Sequence, residues 1–155
     1  MKIPNQLSAL GAQVLERGHR ALLAISGGRF PKSVLGMEPI ELHHLGRSSG
    51  KRRSTLLTAP VFDEDRIVLV ASKGGHDEHP DWYKNLRANP AVEITACGRT
   101  RPMVAHTASA AEKAELWPSI VQAYSGYASY QRNTARDIPV VICTPDESRR
   151  DVAPS

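Results

Sequence analysis

Apolar residues along this chain recur first at helical and then at strand spacing. Leu7, Leu10, Val14, Leu22 and Ile25 fall near one face of a helix over about Gln6–Ser26, with Gln13, Glu16, Arg17 and Arg20 largely on the others. Gly27-Gly28 ends that amphipathic helix, and Arg29-Phe30-Pro31-Lys32 reads as a connector. From Pro39 the period becomes that of strands. Ile40–Leu45 is the first candidate, and Thr55–Phe62 and Ile67–Ala71 are expected to form a hairpin joined at Asp63-Glu64-Asp65. Val92–Cys97 and Pro102–Thr107 make a second hairpin around Gly98-Arg99, where glycine supplies the positive φ of a type II′ turn. Pro102 has no amide donor, which predicts that its strand is an edge or starts late. Ile138–Cys143 is the last strand.

Two helical stretches interrupt the strands. Pro80 at a first-turn position, then Trp82, Tyr83 and Leu86 before Asn89-Pro90, predict a short helix. Ser109-Ala110-Ala111-Glu112 is a capping box opening an apolar face of Leu116, Trp117, Ile120 and Val121, and Pro118 predicts a kink or two abutting helices. These elements imply a mainly β (α+β) fold, a small barrel of about six antiparallel strands with helices outside. No Gly-x-Gly-x-x-Gly follows a strand, which disfavours a doubly wound dinucleotide fold. The expected organisation is a helix and connector over 1–37, the barrel over 38–145 and a polar tail over 146–155.

Composition narrows the function classes. With 155 residues, 41% apolar, the chain suits one ordinary domain. Cys97 and Cys143 are far apart and form no Cys-x-x-Cys pair, so neither a disulfide framework nor a zinc ribbon is expected, and a cytoplasmic setting fits. The apolar run Ala21–Ile25 is too short to span a bilayer. The same helix could pack on the barrel or lie on the inner face of a membrane, a choice its single stripe leaves open. A net charge of +4 points to anionic partners without identifying them.

The densest cationic feature is Gly46-Arg47-Ser48-Ser49-Gly50-Lys51-Arg52-Arg53, between two strands. Two glycines admit close backbone approach, while hydroxyls and guanidinium groups pair with phosphate or carboxylate, the chemistry of an anion cradle. A solvated basic loop is the plain alternative. Ala71-Ser72-Lys73-Gly74-Gly75, at a strand end and before a helix, has the same character. His76-Asp77-Glu78-His79 offers no identifiable third ligand, and His43-His44 point to opposite strand faces, so no metal site is expected. Tyr124, Tyr127 and Tyr130, three of four tyrosines, recur at helical spacing and could line a pocket or pack as a stripe. No nucleophile elbow or paired carboxylates support a hydrolase, so the chemistry fits a borrowed phosphorylated cofactor.

In order, Gly46-Arg47-x-Ser49-Gly50-x-x-Arg53, Ala71-Ser72-Lys73-Gly74-Gly75, Pro80-x-Trp82-Tyr83-x-Asn85-Leu86-x-Ala88-Asn89-Pro90, Trp117-Pro118 with the tyrosines, and Ile138-Pro139-Val140-Val141 resemble the deazaflavin-dependent nitroreductase family of actinobacteria. The resemblance covers about residues 38–145. It implies a split β-barrel of the flavin-reductase type, binding of reduced coenzyme F420 through its anionic tail, and hydride transfer to a quinone, activated alkene or nitroaromatic. By the same resemblance Arg47, Ser49, Gly50, Arg53 and Lys73 hold the tail, and Gly74 and Gly75 let the backbone approach the cofactor. Trp82 and Asn85 line the cofactor cleft, Tyr124, Tyr127 and Tyr130 face the substrate, and Ser72 lies near the reacting centre. Tyr130 or Tyr127 is the expected hydrogen-bond donor. Relatives often carry lysine at Ser48, so Lys51 or Arg52 would have to supply that cation here. One alternative is a split barrel that carries FMN or another cofactor. A second, a small basic nucleic-acid-binding barrel, is disfavoured because the strands carry almost no aromatics to stack bases.

Overall fold

Among the described residues, alternating side chains on seven strands form an inner and an outer layer. The computed structural model describes residues 37–149, so the expected amphipathic helix over Gln6–Ser26 lies outside the described residues. The strands are β1 (Glu38–Leu45), β2 (Arg52–Ala59), β3 (Val61–Phe62), β4 (Ile67–Val70), β5 (Ala91–Ala96), β6 (Arg99–Thr107) and β7 (Val140–Pro145). They form one antiparallel sheet in the order β2-β1-β5-β6-β7-β4-β3. The sheet curls until β2 comes alongside β4. Pro60, which has no amide to extend a ladder, ends β2 and sends the chain to the opposite sheet edge as β3. The expected single strand Thr55–Phe62 is therefore two.

Ile40 and Leu42 of β1, Ile67 and Leu69 of β4, Val92 and Ile94 of β5, Met103 of β6 and Val141 of β7 fill the inside. Helix α1 (Asp81–Ala88) plugs this core with Trp82, Tyr83 and Leu86. The other face of β4 and β7, with Val68, Val70, Val140 and Ile142, is covered by α2 (Ala110–Ala123) and α3 (Gly126–Asn133), which contribute Leu116, Ile120 and Tyr127. Burying each such aliphatic side chain is worth about 1.5–3 kcal/mol.

The capping box forms as expected: Ser109 Oγ accepts from Glu112 N–H at 3.1 Å, and Glu112 Oε1 from Ser109 N–H at 2.9 Å. Two local expectations change. The β5–β6 turn is type I′, because Cys97 (φ +54°) and Gly98 (φ +74°) are both left-handed. β6 lies between β5 and β7 and is no edge. Pro102 is tolerated there because the β7 register stops at Met103↔Pro145, so its missing donor has no ladder partner while its carbonyl accepts from Asp146. Of the two alternatives at Pro118, the structure excludes two abutting helices: the proline sits inside one helix, anchored by buried Leu116 and Ile120. The polar tail begins with a 3-10 turn over Glu147–Arg149, and Arg149 Nη2 ties it to the carbonyls of Val92 and Met103.

Candidate active site

Strand direction gathers the two glycine loops. Passing from β1 through β5, β6 and β7 to β4 reverses direction at each step, so β1 and β4 run the same way and their C-terminal ends share one end of the barrel. β1 leads into Gly46–Lys51 and β4 into Ala71–Pro80, and α1 starts where the second loop stops.

The first loop closes on itself, with Gly46 N–H donating to Lys51 O at 2.9 Å and Gly50 N–H to Gly46 O at 2.8 Å. Gly50 turns it at φ +67°. A Cβ on Gly46 would stand 2.5 Å from Ser49 Oγ and 3.2 Å from Arg53 Nε, so this glycine lets the hydroxyl and the guanidinium converge. Arg47 is fixed to α1: its backbone N–H and its Nη1 both donate to Asn85 Oδ1, at 3.1 and 2.8 Å, and Nη2 lies 3.4 Å from Asp81. Asn85 is buried. Because its Oδ1 accepts from a backbone N–H, its Nδ2 must be the atom facing His44 Nδ1 at 3.1 Å, and it donates there. His44 Nδ1 is then bare, and Nε2–H donates to Thr55 Oγ1 at 3.1 Å. Burial, then the charges of Arg53 and His43, hold the His44 pKa below the ordinary histidine value, which keeps it neutral. Arg52 points to the outer sheet face and pairs with Glu93 at 3.2 Å, while Lys51 is exposed.

The second loop is shaped by backbone. Ser72 is right-handed (φ −78°, ψ −35°), followed by left-handed Lys73 (φ +46°), Gly74 (φ +63°) and Gly75 (φ +83°). A right-handed residue followed by a left-handed one turns successive N–H groups into an anion-binding concavity. Ser72 is buried, with its hydroxyl unpartnered among the described residues. Gly75 has a second reason to be glycine: a Cβ would lie 3.0 Å from Tyr130 O and 3.1 Å from Tyr130 Cα. Its carbonyl accepts from Asn133 Nδ2 at 3.0 Å. Arg136 grips the loop from behind, donating to His76 O (2.8 Å), Ser72 O (2.9 Å), Ala71 O (3.2 Å) and His79 Nδ1 (2.9 Å). Thr134 Oγ1 adds a bond to Asp77 at 2.9 Å. The His79 pKa is lowered, by burial first and then by the charge of Arg136.

The three tyrosine rings meet edge to face, with centroids 5.3, 6.1 and 6.2 Å apart. Their roles diverge. Tyr127 is buried in the outer core, its hydroxyl donates to Met37 Sδ at 3.4 Å, and burial pushes its pKa up to about 12. Tyr124 and Tyr130 are partly exposed and share a hydroxyl–hydroxyl bond of 3.2 Å. Burial, then the bond to Tyr124, raises the Tyr130 pKa well above the ordinary phenol value, so its hydroxyl keeps its proton. Trp82 is likewise a barrel-core residue, edge to face with Tyr83 at 6.3 Å.

Four residues around this site escape sequence reasoning. His44 and Thr55 follow from strand parity only once the inner face is known, Asn133 from the end of α3. Arg136 sits in an irregular segment where an arginine carries no local signal.

A family model described as F420H(2)-dependent quinone reductase matches residues 15–145. The chain is 36% identical over 142 residues to the F420H(2)-dependent quinone reductase Rv1261c of Mycobacterium tuberculosis, covering 87% of this chain and 92% of that one. Among solved structures it resembles an F420-H2 dependent reductase, FDR-A, at 36% identity and TM-score 0.62, over 68% of this chain and 93% of the other. It also resembles a chain described as a domain-swapped dimer, at 33% identity and TM-score 0.65, over 84% and 96%. The fold of these neighbours agrees with the curled barrel expected from the ordered motifs, and the chain belongs to the F420H(2)-dependent quinone reductase family.

Proposed function

We infer that this protein is an oxidoreductase that uses reduced coenzyme F420 to reduce a small-molecule acceptor, a quinone first and an activated alkene or nitroaromatic by the same chemistry. The observation that carries the assignment of the site is the convergence, at one barrel end, of Arg47, Ser49 and Arg53 with the turn Ser72–Gly75 and its buried hydroxyl, unpartnered among the described residues. These residues fit a group with an anionic tail and a planar polar ring. Arg47, Ser49, Arg53, Lys51 and Lys73 would bind the tail by charge-assisted bonds, with the amides of the turn adding donors. Gly50 and Gly74 hold the loop shapes that permit this, and Ser72 offers its hydroxyl to the ring.

When bound, the cofactor supplies the hydride. The protein orients the partners and excludes water. In the Tyr124–Tyr130 pair one hydroxyl donates to the other, which leaves one O–H to donate to an acceptor oxygen. Either hydroxyl of the pair can be that donor; the Tyr130 backbone packs on Gly75, which fixes the pair beside the loop, and Tyr127 supports both from the core. Among the described residues no helix is long and apolar enough to cross a membrane. The apolar stripe Leu7–Ile25 would give a cytoplasmic enzyme peripheral contact with the inner leaflet, where lipid-soluble quinones reside.

The test is titration with oxidised and reduced coenzyme F420, and with FMN in parallel, followed by oxidation of the reduced form with menadione and a nitroaromatic. Tight F420 binding with menadione-dependent oxidation supports the reading. Binding of FMN alone, or of neither, overturns it. Tyr130→Phe is expected to retain cofactor binding and slow turnover about tenfold or more.

A further inference from the structure

Cofactor binding and acceptor reduction leave His44 without a part, although it is the ionisable residue at the next inward position of β1 after Ile40 and Leu42. We propose that His44 is a positioning residue for the cofactor cradle: its bare Nδ1 fixes the Asn85 amide so that Asn85 Oδ1 gathers the backbone and guanidinium of Arg47, and protonation of His44 undoes this, making cofactor affinity pH-dependent. The inference rests on Arg47 being part of the cradle.

The chain of bonds is directional. Thr55 Oγ1 accepts from His44 Nε2, His44 Nδ1 accepts from Asn85 Nδ2, and Asn85 Oδ1 accepts twice from Arg47. Each step sets the next, because a carboxamide has its donors on one side and its acceptor on the other. A proton on His44 Nδ1 would set an N–H against the N–H of Asn85. Relief requires the amide to rotate, and rotation aims its NH2 at the amide and guanidinium of Arg47, which are also donors. The conflict therefore passes to the loop.

The charged surroundings give the sign. Arg53, opposite His44 in the β1–β2 register, and Arg47, behind Asn85, are both cations, and His43 is the preceding residue of β1. The carboxylate of Asp81 lies beyond Arg47, exposed and engaged by it. Thr55 and Asn85 are neutral. A charged imidazole would thus stand among like charges, and the pocket favours the neutral ring until the pH falls below the ordinary histidine range.

The experiment measures the Kd of the full chain for coenzyme F420 by fluorescence between pH 5 and 8, in the natural protein, His44→Gln, His44→Phe and Arg47→Ala. Nitrogen NMR of His44 in the cofactor-free protein gives a readout independent of binding. The expected results are an Nε2–H tautomer at pH 7.5 and affinity falling about tenfold or more on acidification. His44→Gln, whose amide oxygen accepts from Asn85 without titrating, is expected to keep neutral-pH affinity and lose that acid component. His44→Phe, with no acceptor, is expected to bind weakly throughout. An Nδ1–H tautomer, or the same pH profile in His44→Gln as in the natural protein, overturns the proposal. Unchanged affinity in Arg47→Ala overturns the cradle reading beneath it, whereas weakened binding there with a normal His44→Phe overturns the His44 role alone.

Discussion

The two loops at the open end of the barrel are held in opposite ways. The 46–51 loop closes on its own backbone and is anchored to α1 through Arg47, whose amide and guanidinium meet a buried carboxamide, while the Arg53, Lys51 and Ser49 side chains stay exposed. The 71–79 loop is tied by its backbone: Arg136, Asn133 and the close approach of Tyr130 engage its carbonyls and its glycine. One loop displays charge on a fixed frame. The other displays a fixed backbone with a guanidinium behind it. Binding energy should therefore concentrate in the first and folding energy in the second.

Gly75→Ala is the sharpest way to break this comparison. It combines a φ of +83° with a Cβ 3.0 Å from Tyr130 O, and the neighbour is helix backbone that cannot swing away. A loss of about 3 kcal/mol in chemical denaturation is expected, and a loss under about 1 kcal/mol would mean that the loop and α3 can separate freely. Arg136→Ala comes next, at about 2–3 kcal/mol, since the carbonyls of Ala71 and His76 and the His79 ring lose the Arg136 donor and Ser72 O keeps only Gly75 N–H. Arg136→Lys should recover little, because an ammonium cannot fork across those acceptors. Arg47→Ala should cost the fold about 1 kcal/mol or less, since the backbone amide of residue 47 still satisfies Asn85 Oδ1. If Arg47→Ala destabilised the fold as much as Arg136→Ala, the division of labour would be wrong.

The same contrast explains how much is legible in the sequence. The display residues announce themselves: Gly46-Arg47-x-Ser49-Gly50-x-x-Arg53 and Ser72-Lys73-Gly74-Gly75 are chemically unusual runs, and alternation places the barrel strands to within a few residues. The frame behind them is nearly silent. Arg136 acts on carbonyls about 60 residues away in sequence, and nothing local distinguishes it from a solvated arginine. The tyrosine trio is visible as a pattern, but its spacing cannot tell that Tyr127 turns into the core while Tyr124 and Tyr130 meet at their hydroxyls. Pro102 misleads for a related reason: a missing donor excludes only a place in the ladder, and the ladder with β7 begins one residue later.

Arg53→Ala tests the display half directly. It removes a cation whose Nε converges with Ser49 Oγ at Gly46, and cofactor binding is expected to weaken by about 1.5–3 kcal/mol, with thermal stability little changed. Equilibrium titration at two salt concentrations checks it. Unchanged affinity would move the anionic tail away from this loop.

The smallest expected effect is the pH dependence of stability, and it distinguishes the two frames by their histidines. His44 and His79 both have pKa values below the ordinary one, each chiefly through burial. Below about pH 6.5 the unfolded chain takes up protons that the folded chain refuses, so folding stability falls as the pH falls toward the folded-state values. Each histidine contributes a slope of at most about 1.4 kcal/mol per pH unit, and His79, which solvent reaches, contributes less. Two carboxylates with lowered pKa act in a different window. Glu112, held low chiefly by the Ser109 amide, and Asp146, held low chiefly by the Ser148 hydroxyl, lose their contribution as the pH falls from the ordinary carboxylate range to their lower folded values. Denaturation midpoints at pH 5.5 and 7.5 should differ in the natural protein, differ less in His44→Gln, and change little in His79→Gln. An equal or larger change in His79→Gln would place the pH-sensitive frame behind the backbone loop instead of behind the charged one.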